Sequence, residues 1–208
     1  DRTINMDGPG SLVIASTQFG AFSGEDAPYA GFARAGRMRG SAGEINVTNG
    51  GELQTRNGLT VNPDTVEPFL QIARNSGSNG AVTVDGSGSL IQLLQDLPGN
   101  PDAGFFGPTV QVGRLGTGSL TVSNNGQIRL DGDHSAMVVG ARFGSSGSLD
   151  ILSGGDVVID GGSNAEHGGA GFARFGAAGQ FYSRASVAVD AGSSIQVLGD
   201  ETEIILGG

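Results

Sequence analysis

"VGRLGTGSLTVSNNGQIRL", residues 112–130, alternates through Leu120-Thr121-Val122, halts at Gly126 and resumes as Ile128-Arg129-Leu130. Alternation of period two marks a half-buried strand, and glycine between two such segments marks a turn. The same pattern returns along the chain. A pair of apolar residues two apart is followed, six residues on, by the apolar residue that opens the next segment: Ile45/Val47 then Leu53, Val82/Val84 then Leu90, Leu120/Val122 then Ile128, Leu149/Ile151 then Val157, and Val187/Val189 then Ile195. Gly51, Gly88, Gly126 and Gly155 occupy one offset in that gap, and the fifth copy carries Gly192 instead. A tight turn at this offset is expected to need a residue tolerant of positive φ.

Upstream of each pair lies a second recurring phrase, "FARAG", "IARNSG", "VGRLGTG", "VGARFGSSG" or "FARFGAAG", which supplies Arg34, Arg74, Arg114, Arg142 and Arg174. One cycle thus holds three short strands, and the shortest runs 27 residues from Val112 to Val139. A single layer of three strands has nothing to bury its inner face against. Stacking it on copies of itself gives in-register strands about 4.8 Å apart with aliphatic ladders inside. The pattern therefore predicts an all-β chain, a parallel β-solenoid in the form of a right-handed β-helix. A β-sandwich is the alternative with short strands and frequent turns, but it requires neither the constant gap nor the recurring arginine. One domain over residues 1–208 is expected, with repeats at about 31–69, 70–109, 110–136, 137–170 and 171–208 and a degenerate first rung over 1–30.

Composition agrees with many thin layers. Glycine accounts for 39 of 208 residues, far above the typical ~7%, without the Gly-X-Y period of collagen. Tryptophan is absent and aromatics are 6%, which leaves Val, Ile, Leu and Ala to build the interior. No cysteine is present, so disulfides, thiolate metal sites and thiol nucleophiles are excluded. All 11 basic residues are arginine, against 21 acids and a net charge of −10, which argues against nucleic acid and anionic membranes as partners. No apolar run approaches the ~18 residues of a membrane span. A chain opening on Asp1 without a signal-peptide pattern is expected to be a mature or excised piece of something longer.

The longer cycles place their extra residues in one position, before the next arginine phrase, at about 20–30, 56–69, 93–109, 131–136 and 160–170. In a solenoid such insertions align as one ridge. The ridge gathers Glu25, Asp26, Asp64, Glu67, Asp96, Asp102, Asp131, Asp133, Asp160 and Glu166 against Arg56 alone, with His134 and His167 in neighbouring loops. Calcium is the cofactor that such hard oxygen ligands would suit. The calcium nonapeptide and the EF-hand loop are both absent, so the acids read first as solvating loop residues and no cofactor is expected. Asp131, Asp133, His134 and His167 are the residues a transition metal would use. Asp131 with Asp133 is the carboxylate pair an acid/base glycan-cleaving enzyme would use, although nothing separates them from turn residues. No nucleophile elbow and no lysine base occur. Asn46 opens an Asn-Val-Thr sequon that overlaps a strand. The recurring arginines are expected to be structural, capping turn carbonyls while their stems cover the core edge; a stripe for anionic ligands is the competing reading.

"VGRLGTGSLTVSNNGQI" (112–128) and "VGARFGSSGSLDILSGGDVVI" (139–159) resemble the repeats of bacterial autotransporter passengers and of secreted proteins with PEP-CTERM sorting tails, and "GAVTVDGSGSLIQL" (80–93) is similar to a variant of that unit. The likeness spans mainly residues 110–160 and more loosely 31–93. It implies a surface-exposed or secreted β-solenoid stalk, adhesin, fibre or matrix subunit of a bacterium without catalytic residues. Such a protein would be extracellular or at the cell surface. Its partners would be surface or matrix glycans or proteins, or further copies of itself through the solenoid ends. A polysaccharide-binding or polysaccharide-cleaving β-helix and a phage fibre or spike segment are the alternatives.

Overall fold

The computed structural model describes residues 2–16, 32–56, 68–95, 107–142, 144–161, 170–175, 184–199 and 201–206. Among them every regular element is a strand. The first rung comprises β1 (Arg2–Asp7), β2 (Leu12–Ser16) and β3 (Phe32–Ala35), and the second β4 (Ala42–Thr48), β5 (Glu52–Arg56) and β6 (Phe69–Ile72). The third holds β7 (Asn79–Asp85), β8 (Leu90–Leu94) and β9 (Thr109–Val112), and the fourth β10 (Thr117–Ser123), β11 (Gln127–Asp131) and β12 (Ala136–Val139). The fifth holds β13 (Ser146–Leu152), β14 (Asp156–Asp160) and β15 (Ala170–Phe175), and the sixth β16 (Arg184–Val189), β17 (Ser194–Leu198) and β18 (Glu201–Leu206).

Each strand pairs in parallel with the strand three places further on, which gives three six-stranded sheets ordered β1-β4-β7-β10-β13-β16, β2-β5-β8-β11-β14-β17 and β3-β6-β9-β12-β15-β18. This is the parallel β-solenoid that the repeat predicts. Leu120 on β10 sits in register between Val82 and Leu149, and Val122 between Val84 and Ile151. Ile128 and Leu130 on β11 stand between Ile91/Leu93 and Val157/Ile159. Val110 and Val112 on β9 lie between Leu70/Ile72 and Met137/Val139. All of these side chains are essentially inaccessible to solvent. Each contributes about 1.5–3 kcal/mol of burial, and none could be buried by its own rung.

Two local expectations are corrected by the register. Val13, Leu53, Ile128, Val157 and Ile195 align with Ile91, not Leu90, so the gap after Val84 is seven residues and not six. The extra residue belongs to Gly86-Ser87-Gly88-Ser89, where Gly86 and Gly88 both take positive φ. Gly51, Gly126 and Gly155 are not left-handed; the residues before them are, at Asn49-Gly50, Asn124-Asn125 and Ser153-Gly154. Glycine is needed at the third position for a different reason. A Cβ on Gly126 would lie 2.6 Å from the carbonyl oxygen of Val84 in the rung below, and Gly51 and Gly155 face the Met6 and Val122 carbonyls in the same way.

The long connections 57–67, 96–106 and 162–169, like 17–31, fall by element order between the second and third strands of a rung, where the sequence puts the ridge; these stretches lie outside the described residues. The two end rungs are less covered than the middle ones. Ile4, Leu12 and Val13 at one end and Val189, Leu198 and Ile204 at the other are 41% to 58% exposed.

Candidate functional site

Of the acidic ridge, Asp131, Asp133, His134 and Asp160 are placed; Glu25, Asp26, Asp64, Glu67, Asp96, Asp102, Glu166 and His167 lie outside the described residues. Asp131 ends β11 in register with Asp160 of the next rung. Its carboxylate accepts from Gln92 Nε2 at 2.8 Å and from Arg129 at 3.4 Å, so both oxygens are engaged. Asp133 and Asp160 also have partners. His134 is half-buried at φ 60° in a turn closed by Ser135 N to Gly132 O, and its own carbonyl accepts from Gly107 N of the preceding connection at 3.0 Å. Among the described residues no three carboxylate or imidazole groups converge as metal ligands. Asn46, the sequon asparagine, points along the outer face of β4 and donates to Asn5 Oδ1 at 3.0 Å.

Two surface recesses are present among the described residues. The larger, about 830 Å³, lies at the first-rung end between Arg2, Arg34, Arg37 and Met38, and the smaller, about 300 Å³, runs across Gly80, Gly118 and Ser148 of the first sheet. Among the described residues Glu44 is the one acidic residue lining either recess, so they supply no carboxylate pair of the kind glycoside cleavage uses there.

The arginine phrase divides into two classes once the register is known. Arg34 lies within β3 opposite Gln71, and Arg174 within β15 opposite Val138. Arg34 Nε donates to Gln71 Oε1 at 3.0 Å, and Gln71 Nε2 passes a bond on to Gln111 at 3.3 Å, forming a polar ladder outside the third sheet. Arg74, Arg114 and Arg142 lie beyond the strands, in the corners that lead from the third strand of one rung to the first of the next. Bonds from Arg74 N to Gly36 O, Gly113 N to Ile72 O and Ala141 N to Gly113 O set Arg37, Arg74 and Arg114 at one corner position, with Arg142 one residue further along.

Serine does the capping expected of these arginines. Ser41, Ser78 and Ser145 close their corners by donating Oγ to the carbonyls of Met38, Asn75 and Arg142 at 2.7, 2.6 and 2.5 Å. Ser78 and Ser145 are almost wholly buried. The sequence signal for this is the serine at the end of "GRMRGS", "ARNSGS" and "GARFGS", which the arginine-centred reading passes over. Among the described residues the guanidinium groups of Arg37, Arg39, Arg74, Arg114 and Arg142 have no carboxylate or hydrogen-bond acceptor, and Arg74 Nε is buried without a partner. Burial, together with the charges of Arg142 and Arg74, holds the Arg114 guanidinium below its ordinary pKa.

Carboxylates at the other end of the first-sheet strands accept bonds from the neighbouring rung, through Oδ1 alone in Asp7 and Asp85 and through both oxygens in Asp190. Asp7 accepts from Thr48 Oγ1 and Asn49 Nδ2, each at 2.7 Å, and Asp85 repeats the arrangement with Ser123 and Asn124 at 2.6 and 2.7 Å. Asp190 accepts from Ser193 Oγ at 2.5 Å and from Ser153 N at 2.8 Å. These bonds hold the carboxyls of Asp7 and Asp190 below the ordinary Asp value.

No family model matches the chain, and no solved structure matches it. Among curated proteins, the "Uncharacterized lipoprotein YdeK" of Escherichia coli (strain K12) is 36% identical over 90 residues, which is 43% of this chain. The match spans about 5% of that relative's length.

Proposed function

We propose that this chain is a non-catalytic structural or adhesive β-solenoid of the bacterial surface, a stretch of stalk or fibre that holds out a binding edge. The observation that carries the reading is the uniformity of the rungs. Among the described residues the interior is a set of aliphatic ladders interrupted at Thr55, and Asp7, Asp85 and Asp131 are held in ladder and turn contacts, whereas catalysis needs one irregular, unsatisfied constellation. The partial likeness to a protein named as a lipoprotein supports a place in the cell envelope. Antibodies against residues 1–208 are expected to label intact, unpermeabilised cells; labelling only after permeabilisation would refute the location. Release of reducing ends from neutral or acidic polysaccharides at an enzymatic rate would refute the non-catalytic part.

The exposed end rungs would be covered by adjacent solenoid of a longer chain or by a second copy stacked head to tail. In that arrangement Ile4 and Met6 of one copy continue the ladder of Val187 and Val189 of the other, and Val13 continues that of Ile195. A head-to-tail contact does not close on itself and builds a filament. Asp7 would then face Asp190, so assembly should strengthen as salt screens that pair. Sedimentation at rising concentration and salt tests this, and a strict monomer throughout would refute stacking.

A further inference from the structure

The corner that joins the third strand of each rung to the first of the next is a line of positive charge on an acidic protein. "GRMRGS" (36–41), "ARNSGS" (73–78), "GRLG" (113–116) and "GARFGS" (140–145) contain five of the 11 arginines and no acidic residue, although acids outnumber bases 21 to 11. The corners stack on successive rungs, with Arg37, Arg74 and Arg114 in register and Arg142 one residue on. The file therefore runs parallel to the solenoid axis, with a rise of about 4.8 Å per rung.

Nothing among the described residues uses these guanidinium groups. The corner carbonyls are satisfied by serine hydroxyls and by backbone bonds between rungs. The arginines have no acceptor among the described residues, and Arg114 is half-buried, in register with Arg74. Like charges held side by side without a counter-ion cost stability, and an anion laid along them removes that cost. Guanidinium forks bind carboxylate and sulfate bidentately, and this chain uses arginine to the exclusion of lysine.

We infer that this corner is a binding edge for a linear anionic polysaccharide, one carrying carboxylate or sulfate groups at intervals that match the stacked rungs. The axial file fits a polymer with one charge per short repeat. Duplex DNA carries a phosphate about every 3.4 Å along each strand, out of step with the rungs, and its charge density meets stronger repulsion from the net −10 of the chain. The inference extends the adhesive part of the proposed function. Its failure would leave the rod and its surface location standing, because those are tested by labelling and sedimentation.

The test measures binding of the intact chain to polygalacturonate, dextran sulfate, neutral dextran, duplex DNA and vesicles of phosphatidylglycerol across a salt series. Binding is expected to one or both anionic glycans, falling with salt, and not to neutral dextran. The triple substitution Arg74→Gln, Arg114→Gln, Arg142→Gln should weaken it roughly tenfold or more, while Arg129→Gln, which removes a charge outside the file, should change it less than about twofold. Arg114→Lys, which keeps the charge but not the fork, should restore only part of the binding lost in Arg114→Gln, and urea midpoints at or above that of wild type would show that the variants fold. Tighter binding to DNA or to vesicles than to either glycan would overturn the assignment. So would glycan binding that the triple variant retains, or a salt-sensitive dimer that is lost in the triple variant without any glycan binding.

Discussion

Gly126→Ala separates two reasons for a turn glycine, because they predict effects of opposite sign. Gly126 is buried and its φ is not positive, so the backbone conformation itself accepts alanine. If only conformation mattered, the substitution would stabilise by about 0.4–1 kcal/mol through the entropy of the unfolded chain. In the stacked rungs, however, the new Cβ would stand 2.6 Å from Val84 O and 3.0 Å from Ser123 O. Carbon and oxygen rest at about 3.3–3.6 Å, so the rungs must part locally by most of an ångström. The bonds at risk are Gln127 N to Ser89 O at 2.9 Å and Asp156 N to Gly126 O at 3.1 Å. Overpacking costs about 1–3 kcal/mol and each weakened bond about 1 kcal/mol, which gives a net loss of about 2–4 kcal/mol. Urea melts followed by far-UV circular dichroism read the midpoint, with Gly144→Ala as the comparison. Gly144 has φ +73° and open space around its Cβ direction, so it should lose only about 1–2 kcal/mol from left-handed strain. A Gly126→Ala midpoint equal to or above wild type would refute the in-register stacking at this turn.

Thr55 occupies the ladder position held by Leu93, Leu130 and Ile159 in other rungs, is fully buried, and has an unpartnered hydroxyl; Thr55→Val should raise stability by about 1–2 kcal/mol in the same melts. Leu120→Ala in the fourth rung should cost about 3–5 kcal/mol, because hydrogen-bonded strands on both sides resist collapse into the cavity; Leu198→Ala, which is 43% exposed in the last rung, should cost less than about 0.5 kcal/mol. Ser78→Ala removes a buried donor to Asn75 O and should cost about 1–2 kcal/mol, whereas Arg114→Gln should cost under about 1 kcal/mol, so equal losses would return the capping role to arginine. Asp7 and Asp190 have folded pKa values below the ordinary 3.8, so their contribution is present above that value and lost as pH falls through the lower folded ones; Asp7→Asn with Asp190→Asn should flatten the acid limb of a stability-against-pH curve.

The sequence by itself determined the solenoid. Leu120-Thr121-Val122 and its counterparts carry a local signal, period two with turns between, and the repetition of a three-strand unit that cannot bury its own face leaves stacking as the way to make a core. It also located the insertions, because their place between second and third strands is a matter of chain order. The register was decided by tertiary structure alone. Whether Leu90 or Ile91 joins the ladder depends on which residue meets Leu53 and Ile128 from rungs about 37 residues away, and a constant gap counted along one rung cannot report a turn with an extra residue at Gly86-Ser87-Gly88-Ser89. The same holds for Gly126, whose requirement comes from a carbonyl in the rung below and not from its own φ. The arginines were legible as a recurrence but not as a role. Alignment by phrase grouped Arg34 with Arg74, while the stacking placed Arg34 on a polar ladder and Arg37, Arg74 and Arg114 in one corner file. Who caps a carbonyl is fixed by distances of a few tenths of an ångström, and those exist only after the rungs have come together.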